Sequence, residues 1–295
     1  MNKFQEGKSL RVYKYIAPGL ILYLTAMVVP LFICLGISFT NWRGGKKMDF
    51  VGNDNYIRLL QDKAFWGAFL NNLEIIAILI IAQIGLGFIL ALFYQSKKIR
   101  AREFHRRLIF LPAVLAPMVV GMLWQLVYRN DIGIISSVLQ LLGMEGNLPW
   151  LNSTSWVIPS ICLTLTWQYV GQFVIIIMSG MQNISVDVTE AAQIDGASRL
   201  QCALHITFPL LRPTIAVCLL ICISGCMKLF DIIFIMSGGG PGRASMVTAL
   251  YSYDVAFETQ RIGYASATAI GMTVLSLGLI AVSTFILGGR KNEKN

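Results

Sequence analysis

The chain is 295 residues long and carries a formal charge of +9, with 56% apolar and only 13% charged residues. A mean hydropathy of +0.65 excludes a soluble globular protein, because a water-facing surface requires more charge than this. The basic residues lie beside apolar segments, where membrane lipid and topology account for them, and this argues against nucleic acid as a partner.

Six apolar segments are long enough to cross the hydrocarbon core of a bilayer, which takes about 20 helical residues. They are Ile16 to about Phe39, about Leu73 to Tyr94, Leu108 to Tyr128, about Trp156 to Met181, about Thr214 to Met236 and Ile262 to Leu287. The first segment is too long for a signal peptide, and we expect it to remain as an anchor. The sequence therefore predicts an all-α, polytopic membrane protein with six transmembrane helices, in a single domain covering residues 1–295.

Two shorter segments between the predicted spans have apolar residues at helical spacing. In the first connection, a helix at the membrane interface and a solvated loop are equally compatible with the pattern of Tyr56, Ile57, Leu60, Phe65 and Phe69. Asp131–Gly143 is too short to span and too apolar for a solvated loop. It predicts a helix along the outer interface.

The distribution of Lys and Arg among the connections indicates the orientation in the membrane. Of the 24 basic residues, 15 belong to the N-terminus, the second and fourth connections and the C-terminal tail, whereas eight belong to the other three connections. Lys228 lies inside a predicted span. The sequence therefore predicts a multi-pass protein of the plasma membrane with both termini in the cytoplasm.

The residues that most often carry chemistry do not form a catalytic or metal-binding pattern. Five of the six cysteines fall inside predicted spans, where they suit helix packing better than disulfides. There are two histidines and no CxxC motif, so we expect no metal site. The glycine-rich stretch at 237–243, SGGGPGR, lacks the Lys-Ser/Thr pair of a phosphate-binding loop. We therefore expect neither an enzyme nor a cofactor in this chain.

The fourth connection contains a polar helical stretch, residues 187–209, which we call the elbow segment. Asp187 and Glu190 have the spacing of a capping box, and Ser198 with Gln201 offers a second helix start after Gly196. We expect two short helices that meet at Gly196 and end at Pro209. Their small alanines suit a contact with another protein.

The elbow segment carries a family signature. Glu190-Ala191-Ala192, Gly196, Ile206 and Phe208-Pro209 have the spacing of the E-A-A…G…I-x-L-P motif of permease subunits of binding-protein-dependent ABC importers, with Phe208 in place of the usual leucine. Three further stretches resemble the carbohydrate branch of this family, which includes the maltose and glycerol-phosphate permeases. They are LPAVLAPMVVGMLWQLVYRNDIGIISSVLQLLG, LFDIIFIMSGGGPG and RIGYASATAIGM. The resemblance covers most of residues 10 to 290.

This resemblance implies the ABC type I importer permease fold and the import of an oligosaccharide or related sugar by alternating access. It also implies a cytoplasmic ABC ATPase dimer that holds ATP and Mg, a second six-helix permease subunit and an extracytoplasmic sugar-binding protein. The elbow segment would then be a coupling helix that contacts the ATPase. The implied coupling residues are Glu190, Ala191, Ala192, Asp195, Gly196, Ile206 and Pro209.

Candidate substrate contacts lie in the fourth and fifth spans. The stretch TLTWQYVGQF combines aromatic rings with amides, the groups that bind sugars. By resemblance to the maltose permease, we expect Trp167, Tyr169, Gln172 and Lys228 to line the cavity. Lys228 alternatively pairs with Asp231, three residues away. A carrier driven by an ion gradient is the alternative function, although it predicts mid-membrane carboxylates, of which this chain has few.

Overall fold

The computed structural model describes residues 15–95, 101–143 and 148–288. These residues are mostly helical, and the pairing of extended backbone within them is limited to a bridge between Thr40 and Phe50. The all-α prediction is confirmed. The basic residues of both termini and of positions 97–100, on which part of the orientation depends, lie outside the described residues.

The chain divides into two compact units. One comprises the residues up to Asp62 together with 252–271, and the other comprises 63–251 together with the residues from 272 onward. The first unit contains α1 (Tyr15–Ile37), a hairpin and α2 (Asp54–Gln61), together with the beginning of the last helix, α13 (Ile262–Gly288). The prediction of a single domain over residues 1–295 stays a prediction.

The second unit is built around two long helices, α3 (Lys63–Gln95) and α7 (Val157–Met181). α3 begins ten residues before the predicted span, because the apolar residues at its start already face the interior: Phe65 and Ala68 are buried. The stretch that was expected to be an interfacial helix or a loop therefore contributes to two helices, α2 and the first turns of α3.

Two predicted spans are bent pairs of helices. The third consists of α4 (Arg102–Val114) and α5 (Pro117–Val127), which meet at 99°. Ala116 is extended and Pro117 occupies the first turn of α5, as is usual where proline restricts the preceding residue. Between this pair and α7 lies α6 (Ile134–Leu141), which confirms a short helix within 131–143.

The fourth connection and the fifth span form the other bent pair. After α8 (Val186–Ile194), α9 (Arg199–Leu210) meets α10 (Arg212–Met227) at 71°. Within residues 15–95, 101–143 and 148–288, four helices are long and apolar enough to cross a membrane, and the bent pairs bring the number to six if each forms one span. This agrees with the six predicted spans.

The prediction that the fifth span continues to Met236 is wrong. α10 ends at Met227, and a separate helix, α11 (Asp231–Met236), follows. The fully buried amide of Asn72 on α3 donates to the carbonyl of Cys226 over 2.9 Å. A continuous helix would need this carbonyl for the N–H of Phe230, so the contact from α3 favours the break. The remaining helix, α12 (Thr248–Tyr253), follows α11 after a loop and is held by the same Asn72, whose Oδ1 accepts from the Thr248 N–H over 2.9 Å.

Candidate functional site

The elbow segment begins with α8, whose N-terminus is capped by Ser185. The Ser185 hydroxyl accepts from the Asp187 N–H over 3.3 Å and donates to the Asp187 carboxylate over 3.0 Å. The expected cap at Asp187 is therefore wrong: the cap lies two residues earlier, at Ser185, and the helix begins at Val186. Asp187 instead lies in the first turn, where its negative charge is favourable beside the helix N-terminus.

The reversal between α8 and α9 occurs at Gly196, as predicted. Its φ of +88° lies in the left-handed region that glycine adopts without strain. Ser198 and Gln201 then form the predicted capping box: the Gln201 N–H donates to the Ser198 hydroxyl, and the Ser198 N–H donates to Oε1 of Gln201 over 2.8 Å. Both halves of the elbow segment thus start at a side-chain cap.

Pro209 does not end the elbow segment, contrary to the prediction. α9 continues through Pro209 to Leu210, and the change of direction comes at Leu211. The turn before Pro209, Cys202–Thr207, is a π-helix. Its wider hydrogen-bonding pattern changes which carbonyls are used, so a proline can follow without the clash expected in a regular α-helix.

The elbow segment presents an exposed surface of mixed character. Glu190, Ala191, Asp195 and Gly196 are exposed, and the other predicted coupling residues, Ala192, Ile206 and Pro209, are half-buried. Two apolar side chains that sequence reasoning missed flank the turn: Ile194 is 86% exposed and Leu200 is 68% exposed. Exposed large apolar side chains on a connection between spans are typical of a surface that contacts another protein. In the sequence, the signal that could have identified them was their position on either side of Gly196.

A crevice of about 220 Å³ lies behind the elbow segment. Val186 and Thr189 of α8 form one wall, and Met178 and Met181 at the end of α7 form another. Arg102 also lines the crevice and donates to the carbonyl of Tyr94 over 3.3 Å. α8 is therefore incompletely packed against the spans behind it.

A cavity of about 250 Å³ lies deeper in the second unit, among α3, α7 and α10. Its lining is mostly apolar, with a few polar groups, as in sites that bind small molecules. Tyr169 and Gln172, two of the four predicted substrate contacts, lie on its wall. The lining residues are Leu79, Gln83, Leu165, Tyr169, Gln172, Phe173, Ile221, Cys222, Gly225, Cys226 and Leu229.

Trp167 does not line this cavity. It is 41% exposed and packs its ring against Trp124, with 5.7 Å between the ring centroids. Trp167 and Tyr169 are two residues apart on a helix, so their side chains point about 200° apart around its axis. The two aromatic residues therefore cannot line the same wall.

Lys228 is exposed and directly follows the last residue of α10, and it is not among the residues that line the cavity. The alternative, an ion pair with Asp231, does not form either. Among the described residues, Arg106 pairs with Glu103 and Arg129 pairs with Asp131. The second of these holds the pKa of the Asp131 carboxyl below its usual range, through the hydrogen bond from Arg129.

Gln83 is a cavity residue that sequence reasoning missed. It lies in a π-helical turn of α3, Ile80–Gly85, and is 3% exposed. Its Nε2 donates to the carbonyl of Leu165 over 3.0 Å, and its Oε1 accepts from the thiol of Cys222 over 3.9 Å. The sequence signal that could have identified Gln83 was a polar amide inside an apolar span. Cys222 and Cys226, interpreted as packing residues, also line the cavity.

The path of the chain connects the elbow segment directly to this cavity. α7 carries Tyr169 and Gln172 and ends five residues before α8, while α9 is followed after one residue by α10, which carries Cys222 and Cys226. Across residues 15–95, 101–143 and 148–288, no three His, Cys, Asp or Glu side chains come together as metal ligands would.

Comparison with known proteins gives consistent matches along most of the chain. Residues 83–288 match the family model described as "Binding-protein-dependent transport system inner membrane component". The probable ABC transporter permease protein YurN of Bacillus subtilis strain 168 is 31% identical over 270 residues, which cover 90% of this chain and 92% of that protein. The multiple sugar-binding transport system permease protein MsmF of Streptococcus mutans serotype c is also 31% identical, with 92% of each chain covered.

One solved structure matches over the whole chain. It is the crystal structure of a bacterial alginate ABC transporter in complex with an alginate pentasaccharide-bound periplasmic protein. The TM-score is 0.84 at 22% identity, with 100% of this chain and 99% of the matched chain covered. At this identity the likeness concerns the fold, and the predicted ABC importer permease fold is confirmed.

Proposed function

Because this chain belongs to the family of inner membrane components of binding-protein-dependent transport systems, we propose that it is one permease subunit of an ATP-driven sugar importer. One observation carries the proposal: the exposed elbow segment is the direct connection between α7 and α10, which both line the cavity. A displacement of the elbow segment therefore acts on two walls of the cavity at once.

The energy source is a separate cytoplasmic ABC ATPase dimer that binds ATP and Mg. The glycine-rich stretch at 237–243 lacks the lysine of a phosphate-binding loop. In the elbow segment, Glu190 offers an acceptor for a basic side chain, and Ile194 and Leu200 offer apolar contacts for a cleft in the ATPase. The crevice behind α8 leaves room for the elbow segment to move when the ATPase closes.

The substrate is a sugar, and an oligosaccharide or a related compound fits the family branch that the sequence resembles. The name of the relative MsmF, a multiple sugar-binding transport system permease protein, supports this class. So does the cavity, where the Tyr169 ring can pack against the C–H face of a sugar and the amide of Gln172 can bond to its hydroxyls.

A second six-helix permease subunit completes the translocation path. The chain has one elbow segment, whereas an ATPase dimer has two nucleotide sites to couple. An extracytoplasmic binding protein delivers the sugar from the other side, and both termini lie in the cytoplasm, in accordance with the distribution of Lys and Arg. Docking of the loaded binding protein, together with ATP-driven closure, opens the cavity outward. Hydrolysis then returns it to the inward-open state.

Uptake into proteoliposomes that contain the complete importer tests this function. We expect sugar uptake to require the binding protein and ATP, and to persist when an ionophore dissipates the ion gradients. A carrier driven by an ion gradient gives the opposite result. Uptake that continues without the ATPase and collapses with the ionophore would refute the proposal.

A further inference from the structure

Two free thiols, Cys222 and Cys226, line the cavity on one face of α10, and we call them the thiol pair. They lie four residues apart in this helix, so their side chains point in the same direction. Both residues keep a small exposed fraction, 4% and 5%. Cys218, one turn earlier on the same face, is 0% exposed and is not among the residues that line the cavity. The cavity therefore gives access to two thiols of this row.

The thiol pair is positioned by two buried amides of α3. The Cys222 thiol donates to Oε1 of Gln83 over 3.9 Å, and Nε2 of Gln83 donates to the carbonyl of Leu165 over 3.0 Å. The carbonyl of Cys226 accepts from Nδ2 of Asn72 over 2.9 Å. The thiol of Cys222 and the backbone of Cys226 are thus fixed at the cavity wall, as is required of a preorganised binding site.

The spacing of the thiol pair does not suit a disulfide. Residues four apart on a helix have Cβ atoms about 5–6 Å apart, whereas a disulfide requires about 3.5–4.5 Å. A metal ion between the two sulfur atoms bridges the extra distance. With metal–sulfur bonds of about 2.3 Å, as for zinc, a linear arrangement separates the sulfur atoms by about 4.6 Å. The geometry therefore suits an inserted ion better than a direct S–S bond.

The chemistry of the pair selects a soft ion that takes two ligands. Thiolates prefer soft metals, whereas Mg²⁺ and Ca²⁺ prefer oxygen ligands. Zn²⁺ takes four ligands, and no group of three His, Cys, Asp or Glu side chains that could hold a metal occurs among the residues described.

The apolar lining of the cavity also limits the charge of the complex. A buried net charge is costly. Two thiolates leave a negative charge with Cu⁺ or Ag⁺, but they neutralise a divalent ion completely. The mercuric ion is soft, divalent and binds two thiolates in a line, so it satisfies all of these conditions.

We propose that Cys222 and Cys226 form a binding site for the mercuric ion, and that an ion bound there blocks the cavity. One Hg²⁺ and two thiols give a neutral bis-thiolate and two protons, which pass to water, with no oxidation or reduction. The bound ion joins two successive turns of α10 beside Tyr169 and Gln172, which line the same cavity. The binding does not depend on the proposed function, whereas the block of sugar uptake rests on it.

Mercury retention by the assembled importer tests the site directly. The purified importer is titrated with mercuric chloride, washed with a monothiol and weighed by native mass spectrometry. The monothiol is kept well below the millimolar effective concentration of two linked groups, so that it removes mercury from single thiols but not from a chelating pair. For each copy of this chain, we expect the unaltered importer to retain one more mercury than importer with Cys226→Ala.

Two further variants make this comparison specific. Cys218→Ala removes a thiol of the same row that does not line the cavity, so this variant should retain the mercury. Cys226→Ser repeats the test with a side chain closer in size to cysteine and should lose the mercury, as Cys226→Ala does. Agreement between the two Cys226 variants shows that a folding defect of one substitution does not decide the result.

Inhibition of uptake tests the consequence of binding. In proteoliposomes, the Hg²⁺ concentration that halves ATP-driven uptake should be about 100-fold higher for Cys226→Ala than for the unaltered importer, because a second linked ligand multiplies affinity. Each variant is compared with its own uptake without mercury, since Cys226 lines the cavity. Cys218→Ala should keep the unaltered sensitivity. Zn²⁺ should cause no inhibition that depends on Cys226.

The outcomes separate the thiol site from the transport function. Equal mercury retention by the unaltered importer and both Cys226 variants would overturn the site, as would a loss of mercury in Cys218→Ala. Mercury that is retained by the pair without inhibiting uptake would refute the block. If the importer shows no ATP-driven uptake before mercury is added, the proposed function fails, while the mass measurement still decides whether the thiol pair binds the ion.

Discussion

Substitution of Gly196 tests whether the shape of the elbow segment matters for coupling. An added Cβ at Gly196 meets no described atom within 4 Å, so the penalty comes from its φ of +88° alone. An L-residue in the left-handed region costs about 1–2 kcal/mol, which lowers the population of the native turn about 5- to 30-fold. We therefore expect Gly196→Ala to reduce ATP-driven uptake by a factor in this range, with membrane insertion unchanged.

The series Gly196→Asn, Gly196→Ala and Gly196→Val sharpens this prediction. Asparagine tolerates left-handed φ better than alanine, and a β-branched residue tolerates it least, so uptake should fall in that order. Gly143→Ala is the matched control, because Gly143 has a φ of +76° and also no described atom within 4 Å of an added Cβ, but it lies outside the elbow segment. Uptake and ATP hydrolysis are measured together in proteoliposomes. Native uptake by Gly196→Val, or an equal loss in Gly143→Ala, would refute the reasoning.

Two further predictions concern the cavity and the packing around it. Gln172→Ala should raise the KM for sugar uptake, because Gln172 lines the cavity. Trp167→Ala is the control: Trp167 lies outside the cavity, so its replacement should leave KM unchanged. Equal effects of the two variants would show that the cavity does not bind the sugar. Gly171→Ala should destabilise the protein by about 1–3 kcal/mol, because the new Cβ would lie 2.1 Å from the carbonyl oxygen of Ile109. Gly67→Ala, which meets no described atom within 4 Å, should leave thermal unfolding in detergent nearly unchanged, and equal unfolding temperatures for the two variants would contradict the packing argument.

Hydropathy predicted the number of spans because lipid contact requires long apolar segments, whatever the tertiary structure. It did not predict where the fifth span breaks. The carbonyl of Cys226 is taken by Asn72, which is 154 residues away in sequence. No sequence pattern near Cys226 indicates this contact.

The caps of the elbow segment show the same division between local and distant causes. Ser198 and Gln201 bond within one turn, so their spacing was sufficient to predict the second helix start. At the first start, Ser185 and Asp187 are both good capping residues two positions apart, and sequence alone did not choose between them. The passage of α9 through Pro209 depends on a π-helical turn, which has no simple sequence signature.

The cavity residues were predicted in part. Helical geometry requires Trp167 and Tyr169 to face different directions, but only the packing of α7 decides which of them meets the cavity. Gln83 belongs to another helix, and its proximity to Tyr169 and Gln172 arises from the tertiary fold.

Photo-crosslinking from the elbow segment tests the central claim most directly. Placing p-benzoylphenylalanine at exposed Ala191, and as a control at exposed Leu142 on the predicted outer side, requires only the assembled importer in its membrane. The account predicts a crosslink from position 191 to the ATPase subunit that changes in yield when ATP binds, and none from position 142. An active importer whose position 191 crosslinks only to lipid would contradict it.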